Sequence, residues 1–307
     1  MMHSVLLPFS LCCLAMSSSA KAIIPATGCG NPPPSEGEIA RAQAMYVKER
    51  TTTLDVRSTD LVTIPTWFHV VYVNETEEGG YIPRNQLDAQ ITVLNDAWEP
   101  HGFSFNLVNA TYTQNATWSN SNLDGWPNMK RALRQGGYGT LNLYTTLLTE
   151  GSGLLGVRYL PTGKYLGSLQ SRWKQHNDGV VIQANTLPGG IGPHFETDPE
   201  RYTTGRLACH EVGHWFGLFH TYHGTYPYTC QNGDNDFVDD TPVHLLVLTS
   251  NGPDLDCPAG RDTCPDLPGV DPTDNYMSNQ WQSCWTEFTA GQGLRSRSLW
   301  TAQRAGR

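Results

Sequence analysis

Basic residues are in the minority in this chain. Its 307 residues carry 20 Lys and Arg against 29 Asp and Glu, a formal net charge of −9. That leaves no basic footprint for nucleic acid or for an anionic membrane surface. Charge of either sign is scarce, at 16%, while there are 9 Trp and 13 Tyr. This balance excludes a disordered chain and suits a packed extracellular domain. Beyond the N-terminus no run approaches the ~18 apolar residues of a membrane span. No two cysteines stand at Cys-x-x-Cys spacing, which argues against a cysteine-built zinc site. There is no internal repeat, which argues against solenoids and propellers. The length fits one large domain, divided into two lobes around a cleft.

What is present begins with an export signal. Val5 to Met16 is a short apolar core, and Ser17 to Ala22 supplies small residues for cleavage. Ser18-Ser19-Ala20 and Ala20-Lys21-Ala22 both fit the small-x-small rule, although no Lys or Arg precedes the core. A core of ~12 residues is too short to cross a bilayer, so we expect a signal peptide over 1–20 and no membrane anchor. Asn74, Asn109 and Asn115 each head an Asn-x-Thr sequon, the acceptor pattern for N-glycosylation. Past the signal lie Cys29, Cys209, Cys230, Cys257, Cys264 and Cys284. The last four crowd into the final third and read as a disulfide cluster of a secreted protein.

Residues 21–50 read as a prosegment or N-terminal arm, Pro- and Gly-rich at first and then helical in pattern from Ser35 to about Glu49. A domain over 51–307 follows, with an upper part 51–217 and a lower part 218–307. Val62 to Val73 is dense in β-formers. Pro83 sits where a helix begins, and Leu87, Ile91, Leu94 and Trp98 recur at helical spacing. Phe103 to Val108 alternates like a strand, and 110–128 reads as a surface loop region. Leu141–Tyr144, Leu154–Tyr159 and Gly179–Gln183 are further strands. Leu154-Leu-Gly156 fits either an exposed edge that pairs with an extended peptide or a core strand. A helix capped by Thr203 or Thr204 follows. Past Gly217 periodicity vanishes until a last helical pattern from Phe288 to Trp300.

Residues 210–220 read His-Glu-Val-Gly-His-Trp-Phe-Gly-Leu-Phe-His. His210 and His214, four apart, share one helix face. Gly217 tolerates positive φ, so the helix can stop there and bring His220 back as a third ligand. Three protein ligands with an open fourth position is the layout of a catalytic zinc. Glu211, one step from the first ligand, can reach a water on the same ion and act as its base. Five fixed residues make a chance match in a chain of this length roughly one in ten thousand.

The extended motif, together with Asn275-Tyr-Met277 downstream, resembles the metzincin metalloproteases, and within them the pappalysin-like branch that includes secreted fungal extracellular metalloproteases. Supporting stretches are Leu87–Asn95, Gly102–Phe105, Leu187-Pro-Gly-Gly190, Asp239-Asp-Thr-Pro242, Cys257–Cys264 and Phe288-Thr-Ala-Gly-Gln292. The resemblance implies an α+β fold. Its parts would be a twisted mixed five-stranded sheet, an active-site helix and an irregular disulfide-bearing C-terminal subdomain. It implies secreted zinc endopeptidase activity on protein or peptide substrates, with His210, His214 and His220 on zinc, Glu211 as base and Met277 in a turn beneath the site. It also implies the pairings Cys230–Cys264 and Cys257–Cys284. Spacing alone leaves all three pairings of these four cysteines open. Two positions depart from the pattern: Asn279 stands where relatives often have Tyr, and Gln280-Trp281-Gln282 where some carry acidic residues.

Other residues keep two readings. Cys29 is a latency ligand for the open zinc position, or a disulfide partner or inert thiol. Cys209, inside the helix, reads as a buried free thiol. Asp234, Asp236, Asp239, Asp240 and Thr241 form one acidic cluster whose hard oxygens suit calcium, although its spacing is not that of an EF-hand. The resemblance also implies calcium. Two alternatives to an endopeptidase stand: a secreted binding protein of the same fold without catalysis, and a zinc hydrolase acting on something other than peptides.

Overall fold

The computed structural model describes residues 29, 34–51, 60–121, 126–148, 155–158, 176–193, 201–222, 229–230, 236–249, 252–253 and 256–307. The signal stretch 1–20, most of 21–33, Leu154, Tyr159 and Asp234 lie outside them.

Helix α1 spans Glu36–Thr51, and Ser35 starts it by bonding Glu38 through both backbone N–H and hydroxyl, at 2.9 and 2.6 Å. Strand β1, Val62–Tyr72, is buried over its last stretch. Helix α2, Arg84–Trp98, follows Pro83, whose extended backbone makes it the cap residue just outside the helix. Strand β2 is Phe103–Gln114, β3 Leu141–Thr146, β4 Gly156–Arg158 and β5 Val180–Gln183. Between them lie the short helices α3, Ala116–Ser119, and α4, Trp126–Leu133. Helix α5 is Arg206–Phe216 and α6 is Ala290–Gln303, and a small two-stranded sheet joins β6, Leu248–Thr249, to β7, Gly252–Pro253.

The main sheet has five strands in the order β2-β1-β3-β5-β4. β2, β1, β3 and β5 run parallel and β4 runs antiparallel to β5, so the sheet is mixed. β4 therefore lies at an edge, with backbone groups on one side that no sheet strand takes. Parallel strands must be covered on both faces. Helix α2 covers one face together with α5, through Leu87, Leu94 and Trp98. Trp98, Phe103, Phe216 and Phe288 lock the helices together, with ring centroids 4.1–4.6 Å apart. The other face carries Trp126, Met129, Tyr144 and Val181.

Two sequence expectations need correction. Residues 110–128 are not all loop: β2 continues to Gln114, and α3 and the start of α4 follow. β2 is the other edge of the sheet, so its outer half needs no apolar run, and Thr111 and Tyr112 serve as strand residues there. Asn115 caps α3 by accepting from the Trp118 N–H at 3.0 Å. The α5 cap is Gly205, with φ +74°, rather than Thr203 or Thr204. A side chain at 205 would meet Pro188 and Gln90 within 3 Å, and Gln90 donates to the Gly205 carbonyl at 2.9 Å. The fold holds this turn from outside, which local cap chemistry does not reveal.

Past α5 the chain is irregular, and two disulfides tie it, Cys230–Cys264 and Cys257–Cys284, with Cα–Cα distances of 5.6 and 5.7 Å. Cys29 and Cys209 are buried and take no part in either disulfide. Among the described residues no helix is long and apolar enough to cross a membrane. Asn74 and Asn109 are exposed, and Asn115 is half-buried.

Candidate metal centre

Helix α5 brings His210 and His214 to one side, with ring centroids 4.6 Å apart. It stops at Gly217, φ +115°, whose N–H and that of Leu218 both turn back to the Gly213 carbonyl, at 3.1 and 3.0 Å. This left-handed stop satisfies carbonyls of the last turn and redirects the chain. His220 then arrives with its ring 4.5 Å from His214 and 5.2 Å from His210.

Backbone carbonyls fix two of the imidazoles. His210 Nδ1 lies 2.6 Å from the Tyr276 carbonyl, and His214 Nδ1 lies 2.8 Å from that of Leu218. A carbonyl only accepts, so each Nδ1 carries the proton and each Nε2 turns a lone pair inward. His214 Nε2 and His220 Nε2 lie 3.0 Å apart. Two nitrogens each ~2.0–2.1 Å from one tetrahedral ion stand roughly 3.3 Å apart. Trp285 stacks on His210 at 4.9 Å and Tyr222 on His220 at 4.7 Å, which fixes the ring planes.

Cys29 completes the cluster. Its sulfur is 3.5 Å from His214 Nε2, and the donor atoms of Cys29, His210, His214 and His220 all lie within 4.8 Å of one another. Nitrogen and thiolate donors in this number fit zinc or a similar borderline-soft ion. Among the described residues this is the one such group. Cys29 also forms a parallel bridge with Gly156 of edge strand β4. At Cys29 the N-terminal segment thus meets the edge of the sheet.

Glu211 is fully buried. A methyl at Gly156 would stand 2.6 Å from its Oε1, so β4 runs against the carboxylate and only glycine fits there. Gly213 has a matching role: a side chain there would meet the Met277 sulfur at 2.5 Å. Met277 therefore packs directly under α5, between the turns that carry the two histidines. Its turn is tight, with Ser278 N–H bonded to the Asn275 carbonyl at 3.0 Å and Met277 N–H to Asn275 Oδ1 at 2.9 Å. The Met277 carbonyl takes the Thr221 N–H at 3.1 Å, next to His220. One turn therefore supports His210 through Tyr276 and the His220 segment through Met277.

The fit of Gly156 against Glu211, the packing of Gly213 on Met277 and the Tyr276 carbonyl are not among the sequence expectations. Gly213 carried a signal, because a glycine inside a helix costs ~1 kcal/mol and implies a packing reason. The backbone carbonyl left none. Cys209 is buried with its sulfur 3.6 Å from the Val93 carbonyl, and burial pushes its thiol well above the ordinary range. It is an inert core residue. Asn279, Gln280 and Gln282 are buried, and their amides bond no described residue.

The acidic cluster is not a second metal group among the described residues. Asp236 Oδ1 accepts from Thr241 at 2.7 Å and Val238 N–H at 3.2 Å, and Asp239 accepts from Tyr46. Asp240 accepts from Thr289 and Gly291 at 2.6 and 2.8 Å, at the start of α6. Burial pushes the Asp236 carboxyl up to about 7. The native state therefore holds a proton that the unfolded chain has released above its ordinary pKa of about 3.9. Stability falls as pH rises from there to about 7, by on the order of 4 kcal/mol. Asp236→Asn should flatten this dependence in chemical unfolding of chelator-treated protein between pH 4.5 and 7.5. Equal slopes for both proteins would refute it.

A mixed sheet, a histidine-bearing helix stopped by glycine, and a methionine turn beneath it define a metzincin-like metallopeptidase. The comparisons agree. A peptidase M43 profile, described as pregnancy-associated plasma protein-A, matches residues 193–299. An extracellular metalloprotease of Colletotrichum graminicola is 40% identical over 281 residues, 91% of each chain. One of Pyricularia oryzae is 38% identical over the full length of both. Mature mirolysin of Tannerella forsythia, solved with a cleaved peptide, aligns with TM-score 0.59 at 23% identity, covering 78% of this chain and 92% of its own. The chain belongs to the pappalysin-like family of extracellular metalloproteases. It is a metalloendopeptidase that uses a metal and acts on proteins.

Proposed function

We propose that this protein is a secreted zinc endopeptidase in which Glu211 is the general base, and that Cys29 holds it latent. The position of Glu211 carries this reading. Its carboxylate follows the first histidine of a three-imidazole cluster and abuts the edge strand β4 at Gly156. His210, His214 and His220 would hold zinc through Nε2. Zinc bound there supplies polarisation of the scissile carbonyl and lowers the pKa of a coordinated water toward ~7. Glu211 takes the proton of the attacking water and passes it to the leaving amine. An extended substrate adds to β4, and backbone hydrogen bonds set its register. In the uncleaved chain Cys29 occupies both places, with its sulfur among the imidazoles and its backbone on Gly156. The intact Glu211 leaves the non-catalytic alternative without support.

Casein digestion by the mature protein should stop with 1,10-phenanthroline and return with zinc. The same chelator should open Cys29 of the full-length chain to iodoacetamide. Digestion that persists under chelation would sink the zinc reading.

The stretch after the methionine turn sets the choice of substrate in this proposal. Gln280 and Gln282 are neutral, and the Arg201 guanidinium lies 5.0 Å over the Trp281 ring. No carboxylate in this run invites a cation, and an arginine beside it repels one. Cleavage of a peptide library should therefore favour uncharged side chains at the first primed position. Dominance of Lys or Arg there would contradict this.

A further inference from the structure

Helix α1 is held on the lower part of the molecule by contacts that do not involve Cys29. Ile39, Ala42, Tyr46 and Glu49 recur three or four apart, so they share one face of α1. Against that face the protein presents Phe219 and Phe237, which pack with Ala42, Ile39 and Tyr46 in a small apolar cluster separate from the main core. Polar contacts frame it at both sides. Glu49 pairs with Arg295 of α6 at 3.1 Å, and the Arg295 side chain is only 3% exposed. Arg295 also donates to the Ala42 carbonyl at 3.5 Å and lies 5.5 Å over the Phe237 ring. On the opposite flank Tyr46 donates to Asp239, and Arg50 donates to the Tyr46 hydroxyl at 2.8 Å. Phe219 immediately precedes His220.

We propose that Phe219, Phe237, Arg295 and Asp239 form a docking site for α1, a second anchor that holds the N-terminal segment whether or not its thiol is bound. The inference deepens the latency reading above, but the docking itself needs neither metal nor catalysis. Three features support an anchor over incidental packing. The site joins residues far apart in sequence, from two irregular segments and α6, onto one helix. It encloses an arginine whose charge Glu49 answers, and a buried guanidinium without its partner is strongly unfavourable. Finally, α1 alone is too short and too polar to persist in water, since helices of this length are marginal when isolated. Its order therefore reports its docking. The partner such a surface fits is an amphipathic helix with a tyrosine and a glutamate three residues apart on its inner face.

Amide hydrogen exchange on the full-length chain tests this, in a Glu211→Ala background with chelator so that no self-cleavage intervenes. With Cys29→Ser added, amides in the second half of α1 should still exchange at least ~100-fold slower than unstructured chain. With Tyr46→Ala and Glu49→Ala instead, and Cys29 intact, protection should fall below ~10-fold, the level of an isolated helix. Asp239→Asn, a change at the surface end of the receiving site, should lower it in the same direction. Exchange in β1 and β3 should stay constant throughout and certify the fold. Loss of α1 protection in Cys29→Ser, or its survival in the Tyr46/Glu49 double variant, would overturn the second anchor. Neither readout depends on metal or activity, so failure here leaves the endopeptidase reading standing, and the converse also holds.

Discussion

Glu211→Ala should abolish casein hydrolysis, lowering turnover by about 10³-fold or more, while zinc stays near one ion per chain. The general base contributes ~10²–10⁴-fold in reactions of this kind, and here one carboxylate both takes and returns the proton. The ligands should survive because the carbonyls of Tyr276 and Leu218 orient His210 and His214 without help from Glu211. Met277 under Gly213 also keeps its contact in the variant. Metal content by atomic absorption and single-turnover hydrolysis by mature protein separate the two roles. Loss of zinc with activity would make Glu211 a structural residue, and full activity with zinc retained would remove it from the mechanism. Glu211→Gln is the sharper form, since it keeps the volume beside Gly156 and loses only the basicity.

Much of this site was legible because it is local. The His210–His220 motif writes three histidines, a carboxylate and a glycine stop in eleven consecutive residues, and the structure brings the three imidazoles together. Met277 was legible through resemblance and not through pattern, because a methionine in a loop has no period to reveal it. The strands with dense β-formers were also readable. What stayed hidden depends on contacts between distant segments. β4 is an edge only because β5 pairs with β3 on its other side. Gly205 caps α5 because Pro188 and Gln90 crowd it. The buried face of α1 was hidden too, since its partners are two phenylalanines and an arginine more than 160 residues downstream. The acidic residues are close in sequence, which hides their separate partners. In space Asp236, Asp239 and Asp240 turn to different protein donors.

Arg304, just past the end of α6, marks the same divide between local and distant. In sequence it lies beyond the last helical pattern, which ends at Trp300. In the structure it is fully buried, and its guanidinium forks onto both oxygens of Asp178 at 2.9 and 3.1 Å. It also donates to the Trp215 carbonyl at 2.8 and 3.1 Å and to that of Tyr138 at 2.9 Å. Trp215 follows His214, and its carbonyl belongs to the last turn of α5, where no helical partner exists. Arg304 therefore closes the end of the histidine-bearing helix. Burial pushes the Asp178 carboxyl up, but the charges of Arg304 and Arg134 outweigh it and hold it below the ordinary value. That contribution is present at neutral pH and is lost as pH falls through the lowered pKa. Arg304→Ala would leave Asp178 and the Trp215 carbonyl short of donors in the interior. Breaking a buried pair costs ~3–5 kcal/mol, and a second stranded acceptor adds ~1–3. For a domain this large we expect a drop in Tm of roughly 10–20 °C. Arg304→Lys should recover little, because an ammonium cannot make the fork. Arg307→Ala, at an exposed side chain three residues on, should stay within ~0.5 kcal/mol of the parent. Calorimetry of the three variants decides it. A Tm for Arg304→Ala within 3 °C of the parent would mean, on the scale of roughly 2–4 °C per kcal/mol, a cost of at most about 1.5 kcal/mol and would refute this account of the buried pair.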